Sequence, residues 1–156
     1  MSPVRQPTQT DSPSPVGANT TIVADVDEPT EAVRAATKGR LADVVIDVSA
    51  EATAPVRDSL DMVRAGGTVL LAGMKSNEPI PGFVSDKVVL RQLTVRGVGG
   101  HDARSIRAAL SVIAGRRYPT ERMHTHRFRL AEAEKAVRSV GRQVAGDTPI
   151  HATITP

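Results

Sequence analysis

Two short runs constrain this chain most: residues 43–49, DVVIDVS, and residues 68–72, TVLLA. Each is almost continuously apolar, is no longer than a strand, and is followed by small residues. An amphipathic surface strand alternates; a run apolar on both faces belongs in a parallel sheet covered by helices. The segments between them have helical periodicity. Val56, Leu60 and Val63 stand at i, i+4 and i+7 behind Thr53-Ala54-Pro55, a helix start with proline in its first turn, and Gly66-Gly67 is expected to end that helix. The composition agrees with this reading. Among 156 residues only Phe83, Phe128 and Tyr118 are aromatic, so a core must be built from Val, Leu, Ile and Ala.

The same punctuation organises the rest. Residues 1–16, MSPVRQPTQTDSPSPV, are rich in Pro, Ser, Thr and Gln, and are expected to form a disordered tail ahead of one domain over residues 17–156. Residues 20–26 read as a strand, followed by a helix starting at Asp27-Glu28-Pro29 and closed by Gly39. After a proline-containing loop come Val88–Leu90 and an alternating stretch, Leu93–Val98, suited to a sheet edge. Asp102 is placed to cap a third helix with an inner stripe of Ile106, Leu110 and Ile113, ended by Gly115. Residues 125–130 read as extended. Residues 131–140 read as a helix with Ala133, Ala136, Val137 and Val140 inward, and residues 150–155 as a last strand. The fold class expected is α/β, a partial Rossmann arrangement, doubly wound with a mainly parallel sheet.

Several functions are excluded or disfavoured. With no cysteine, a disulfide scaffold, a zinc knuckle and a cysteine nucleophile fall away. No apolar run has the roughly 18 residues of a membrane helix, and no secretory h-region is visible, so a cytoplasmic location is expected. Twenty Lys+Arg against 17 Asp+Glu leave a net charge of +3. Arginines gather at Arg104, Arg107, Arg116, Arg117, Arg122, Arg127 and Arg129, but without interleaved aromatics they read as a solvated face and not as a nucleic-acid surface.

Ligands of open parallel sheets bind beyond the carboxyl ends of the strands. Three loops qualify here: Ser49-Ala50-Glu51, Gly73-Met74-Lys75 and the stretch Gly97 to His101, GVGGH. The last lacks the third glycine of a dinucleotide fingerprint. Asp47 either touches a ligand or caps the turn that follows it. His124 and His126 form an H-x-H pair, but metal sites need three or four converging ligands, so no metal site is expected.

Four strings in order, LADVVIDVSAEA, RAGGTVLLAGMKSNEPIP, VVLRQLTVRGVGGHDARSIRAAL and HTHRFRLAEAEKAV, resemble the medium-chain zinc-containing alcohol dehydrogenases, in their threonine or polyol dehydrogenase-like branch. The likeness runs from about Gly17 to Thr155 and covers the C-terminal part of that family. The GroES-like catalytic domain and the Gly-rich phosphate turn have no counterpart. The resemblance implies a truncated NAD(P)-linked oxidoreductase, inactive alone or serving as an association module for a full-length relative or a complementing chain. It implies cofactor contacts at Val48, Ser49, Ala72, Gly73, Met74, Val98 and Gly99, with weak affinity, no zinc in this chain and no catalytic residue. It also implies that Leu93–Gly97 pairs across a homodimer. In the strand order 3-2-1-4-5-6 the missing strands would leave an edge bare beside residues 43–48, and residues 20–26 are expected to move in beside it.

Overall fold

The computed structural model describes residues 17–23 and 27–156. They fall into two compact units, one within residues 20–101, the other made of residues 17–19 and 102–156. The expected tail, residues 1–16, lies outside the described residues.

The first unit runs α1 (Pro29–Ala36), β1 (Ala42–Asp47), α2 (Ala54–Met62), β2 (Val63–Leu71), α3 (Ser85–Leu90) and β3 (Thr94–Gly97). Its three strands lie in the order β1-β2-β3 and all pair in parallel, with Val45 opposite Val69 and Val69 opposite Val95. Parallel neighbours require crossover connections, and α2 and α3 supply them. The core is Leu60 from α2, Val63 and Val69 from β2, and Leu93, with Val45, Leu71 and Val88 packed against it. Arg91 ties α2 down, its guanidinium donating to the Leu60 and Val63 carbonyls at the helix end. The α/β class, the parallel sheet and the edge position of β3 match the sequence reading.

Four local expectations are corrected. The helix α2 stops at Met62, and Val63 is extended (φ −87°, ψ 141°), opening β2 and not closing a helical stripe. Gly66 and Gly67 therefore lie in the strand. Pairing jumps from Ala42 opposite Val63 to Val44 opposite Thr68, so residues 64–67 bulge outward. Gly66 has φ +69°, and a Cβ on Gly67 would come within 3.0 Å of the Asp43 carbonyl, so the bulge depends on both glycines. Second, the strand expected over residues 68–72 begins earlier, at Val63. Val88–Leu90 belongs to the helix α3, which Lys87 anchors to Asp61 on α2 at 2.7 Å.

Third, Thr20 to Val23 are not in a strand, residues 24–26 lie outside the described residues, and no described strand pairs with the outer edge of β1. A local competitor explains this: the Asp27 carboxylate accepts the Val23 N–H at 2.9 Å, and Asp27 N–H donates to the Val23 carbonyl. Fourth, β1 is not buried on both faces. Val45 packs on the core, whereas Val44 and Ile46, on the opposite face, are 50% and 58% exposed.

The second unit comprises α4 (Ala103–Ala114), β4 (His124–Arg129), α5 (Ala133–Val140) and β5 (His151–Thr155), with 3-10 turns over Thr120–Met123 and Leu130–Glu132. The last strand does not join the first sheet; β4 and β5 pair in parallel as a sheet of their own. The Asp102 carboxylate caps α4 by accepting the Ser105 N–H at 2.6 Å, and Gly115 closes it, as the sequence indicates. Its stripe Ile106, Leu110 and Ile113 is exposed and not buried. A helical period shows that a face can be covered, not that a cover is present. On α5, Ala136 and Ser139 are buried while Val137 and Val140 are exposed. The small side chains line the face that approaches the two strands.

Candidate functional site

The first unit's candidate residues all follow the carboxyl ends of its strands. Because Asp47 lies opposite Leu71, the loops after β1 and β2 leave the sheet side by side. The Asp47 carbonyl accepts both Ala72 N–H (2.8 Å) and Gly73 N–H (3.1 Å), and Glu51 N–H donates to the Met74 carbonyl at 2.9 Å. Gly73 passes so close to Ser49 that a Cβ there would overlap the Ser49 carbonyl oxygen. Val48, Ser49, Ala72, Gly73 and Met74 are therefore brought together. Val98 and Gly99 follow the neighbouring strand, where Val98 N–H donates to the Leu71 carbonyl at 2.9 Å. Around Gly99 and Gly100 the backbone is open, with nothing within 4 Å of a built Cβ.

Asp47 resolves to the second of its two readings, a turn cap. It is buried, and its Oδ1 accepts from Ser49 N (3.1 Å) and Ser49 Oγ (2.5 Å). Sequence reasoning missed its other partner. Lys75 Nζ lies 2.7 Å from Asp47 Oδ2 as a shielded ion pair, and donates to the carbonyl and hydroxyl oxygens of Ser49. The register was the signal: once Asp47 is opposite Leu71, a cation four residues past Leu71 falls beside it.

Burial works to raise the Asp47 carboxyl, but hydrogen bonds from Lys75 and Ser49 outweigh it, and its pKa lies below the ordinary 3.8. A carboxylate whose folded pKa is depressed stabilises the fold above its unfolded pKa and loses that contribution as pH falls through the folded value. The stability of the first unit is thus expected to hold from neutrality to about pH 5 and to decline below about pH 4. Asp47→Asn should shrink that decline. Urea midpoints measured against pH test this, and an acid slope identical in both proteins would refute it.

The histidines of the second unit do not converge. His126 Nε2 pairs with Asp147 Oδ1 at 2.8 Å, while His124 Nε2 meets Thr153 Oγ1 at 2.7 Å and its ring packs edge-on to His151. Among the described residues no three His, Cys, Asp or Glu side chains gather as metal ligands would. The arginines of the sequence cluster are exposed.

The profile of the zinc-binding dehydrogenases matches residues 9–115. The chain belongs to the zinc-binding dehydrogenase family. The match begins at residue 9, ahead of Gly17, where the resemblance of the motifs starts. A Mycobacterium tuberculosis protein named "Probable alcohol dehydrogenase adh" is 37% identical over 141 residues, covering 90% of this chain and 38% of that protein. The L-threonine 3-dehydrogenase of Symbiobacterium thermophilum is 31% identical over 139 residues, covering 84% and 37%. This zinc-binding dehydrogenase chain thus spans a little over a third of the length of these two relatives, and the part it spans is C-terminal in character, as the motifs indicate. Among solved structures, an alcohol dehydrogenase of Thermotoga maritima superposes with a TM-score of 0.76 at 23% identity, covering 91% of this chain and 39% of that one, which establishes the shared fold. A Sinorhizobium meliloti 1021 protein described as a zinc-binding dehydrogenase, solved bound to NADP, superposes at 0.75 with 25% identity, covering 90% and 40%.

Proposed function

We propose that this chain is the part of an alcohol dehydrogenase-type oxidoreductase that holds the nicotinamide end of NAD(P), and that alone it does not transfer hydride. The observation that carries this reading is the meeting of three loops at the carboxyl ends of β1, β2 and β3, tied by the Asp47, Met74 and Leu71 carbonyls. The open backbone at Gly99 and Gly100, beside these tied loops, leaves room for a flat ring. Exposed Val48 and Met74 supply apolar contact. When bound, the dinucleotide supplies the hydride chemistry, while the protein supplies position. The family's zinc does not fit the described residues, which bring no three ligands together.

Without a glycine-rich turn at a helix N-terminus the pyrophosphate loses its strongest contacts. Dissociation constants in the millimolar range are expected, on the order of −4 kcal/mol. Titration of the chain with NADH and NADPH, followed by backbone amide shifts, is the test. Shifts confined to residues 48–51, 72–75 and 98–100 support the reading. Shifts elsewhere refute the site, and micromolar affinity or turnover of a secondary alcohol refutes the inactivity.

A second reading, self-association through Leu93–Gly97, is favoured by the exposure of every residue of β3. Since Val98 N–H points to β2, alternation aims the Val95 N–H at the open edge. Val95→Pro should therefore weaken a dimer and leave the β2–β3 ladder intact. Sedimentation equilibrium of the two proteins decides, an unchanged profile pointing to another interface.

A further inference from the structure

We propose that Lys75 is a positioning residue: with Asp47 and Ser49 it forms a latch that locks the β1 and β2 loops together and so presents Val48 and Met74 to the dinucleotide. This rests on the cofactor reading of the same loops and names what sets their geometry.

An ammonium carries three donors and no acceptor. Lys75 Nζ has three oxygens around it: Asp47 Oδ2 at 2.7 Å, Ser49 Oγ at 3.0 Å and the Ser49 carbonyl. Its side chain is 11% exposed and that of Asp47 only 3%. Two of its donors go to Ser49 and its charge faces the buried Asp47 carboxylate, so Lys75 is turned away from solvent and acts through Ser49 and not by contact. Ser49 is held in turn from both sides, its N–H and hydroxyl donating to Asp47 Oδ1 while its oxygens receive Lys75. A lysine suits this place because a buried carboxylate needs a compact opposite charge.

The latch pins the neighbours of two exposed apolar side chains. Val48 sits between Asp47 and Ser49, both locked, yet its own side chain is 73% exposed. Met74 sits between Gly73, seated on the Ser49 backbone, and Lys75, and is 83% exposed. Large apolar groups held outward on an immobilised backbone cost little ordering entropy when a ligand arrives.

The test compares the full chain with Lys75→Met and with the double variant Asp47→Asn/Lys75→Met, which leaves no lone buried charge should the single variant fail to fold. Amide hydrogen exchange and NADPH titration are both read. We expect exchange at residues 48–51 and 72–76 to quicken about tenfold or more while Val69 to Leu71 stay protected, and NADPH affinity to fall about tenfold. A merely structural lysine would expose the strand amides equally. Unchanged exchange in the loops overturns the latch. Weaker NADPH binding with unchanged exchange would mean that Lys75 touches the ligand, and faster exchange with unchanged affinity would mean that the latch presents nothing; either result overturns the proposal. If the unmodified chain shows no NADPH shifts, the cofactor reading falls and the presenting role with it, while exchange still judges the latch.

Discussion

Gly73→Ala is expected to destabilise the first unit by about 3 kcal/mol or more, although it adds a single methyl group. The added Cβ would overlap the Ser49 carbonyl oxygen and stand 2.6 Å from its carbon and 3.0 Å from its nitrogen. All three atoms are backbone, and none can swing aside as the end of a flexible side chain would. Ser49 is moreover fixed by Asp47 and Lys75. Relief therefore requires the two loops to part, at the cost of the Ala72 and Gly73 N–H bonds to the Asp47 carbonyl. Gly99→Ala is the control. Its Cβ meets nothing within 4 Å and its φ is not positive, so its effect should stay within about 0.5 kcal/mol. Denaturant midpoints of the two variants give the comparison, and equal midpoints would mean that the loops do not approach as closely as described.

Leu60→Ala is expected to cost about 2–5 kcal/mol, the range for emptying a buried leucine site. Leu60 is 1% exposed and is the contribution of α2 to a core whose other buried members are Val63, Val69 and Leu93. A core this small has little to refill the void. Against the roughly 5–15 kcal/mol that holds a domain folded, the loss would take away a large share of the first unit's stability. Leu110→Ala, on the exposed stripe of α4, removes the same atoms from a side chain 59% exposed and should shift stability far less. Thermal unfolding read by circular dichroism distinguishes the two. Comparable effects would show that the stripe of α4 is covered in solution.

The contrast between these leucines shows where the sequence could be read. β1 and β2 were legible because their runs are short, apolar and bounded, β3 because it alternates, and α4 because Asp102 and Gly115 mark both its ends. The loops at Ser49, Gly73 and Val98 followed from one rule about carboxyl ends. Val63 could not be assigned locally: it satisfies the i+7 position of a helix and the first position of a buried strand, and the contact with Ala42 decides for the strand. Residues 20–23 have strand composition, yet the Asp27 carboxylate four residues past Val23 captures its N–H. The link between Lys75 and Ser49 spans 26 residues and exists only once the register is known. Which apolar stripe is covered is likewise a property of neighbours, invisible to a count along one helix.

The three-stranded sheet has a further consequence for assembly. Its strands all point the same way, so a copy added by a two-fold axis at the β3 edge lies antiparallel to β3 and closes a dimer. Among the described residues the β1 edge also lacks a neighbouring strand, and it too can accept a two-fold copy. A unit with one such edge stops at two copies. A unit with two is bivalent: alternating the joints extends a continuous ribbon with no closure. Should copies join through both edges, a strand-breaking residue along Ala42–Asp47 would cap the ribbon and leave a dimer.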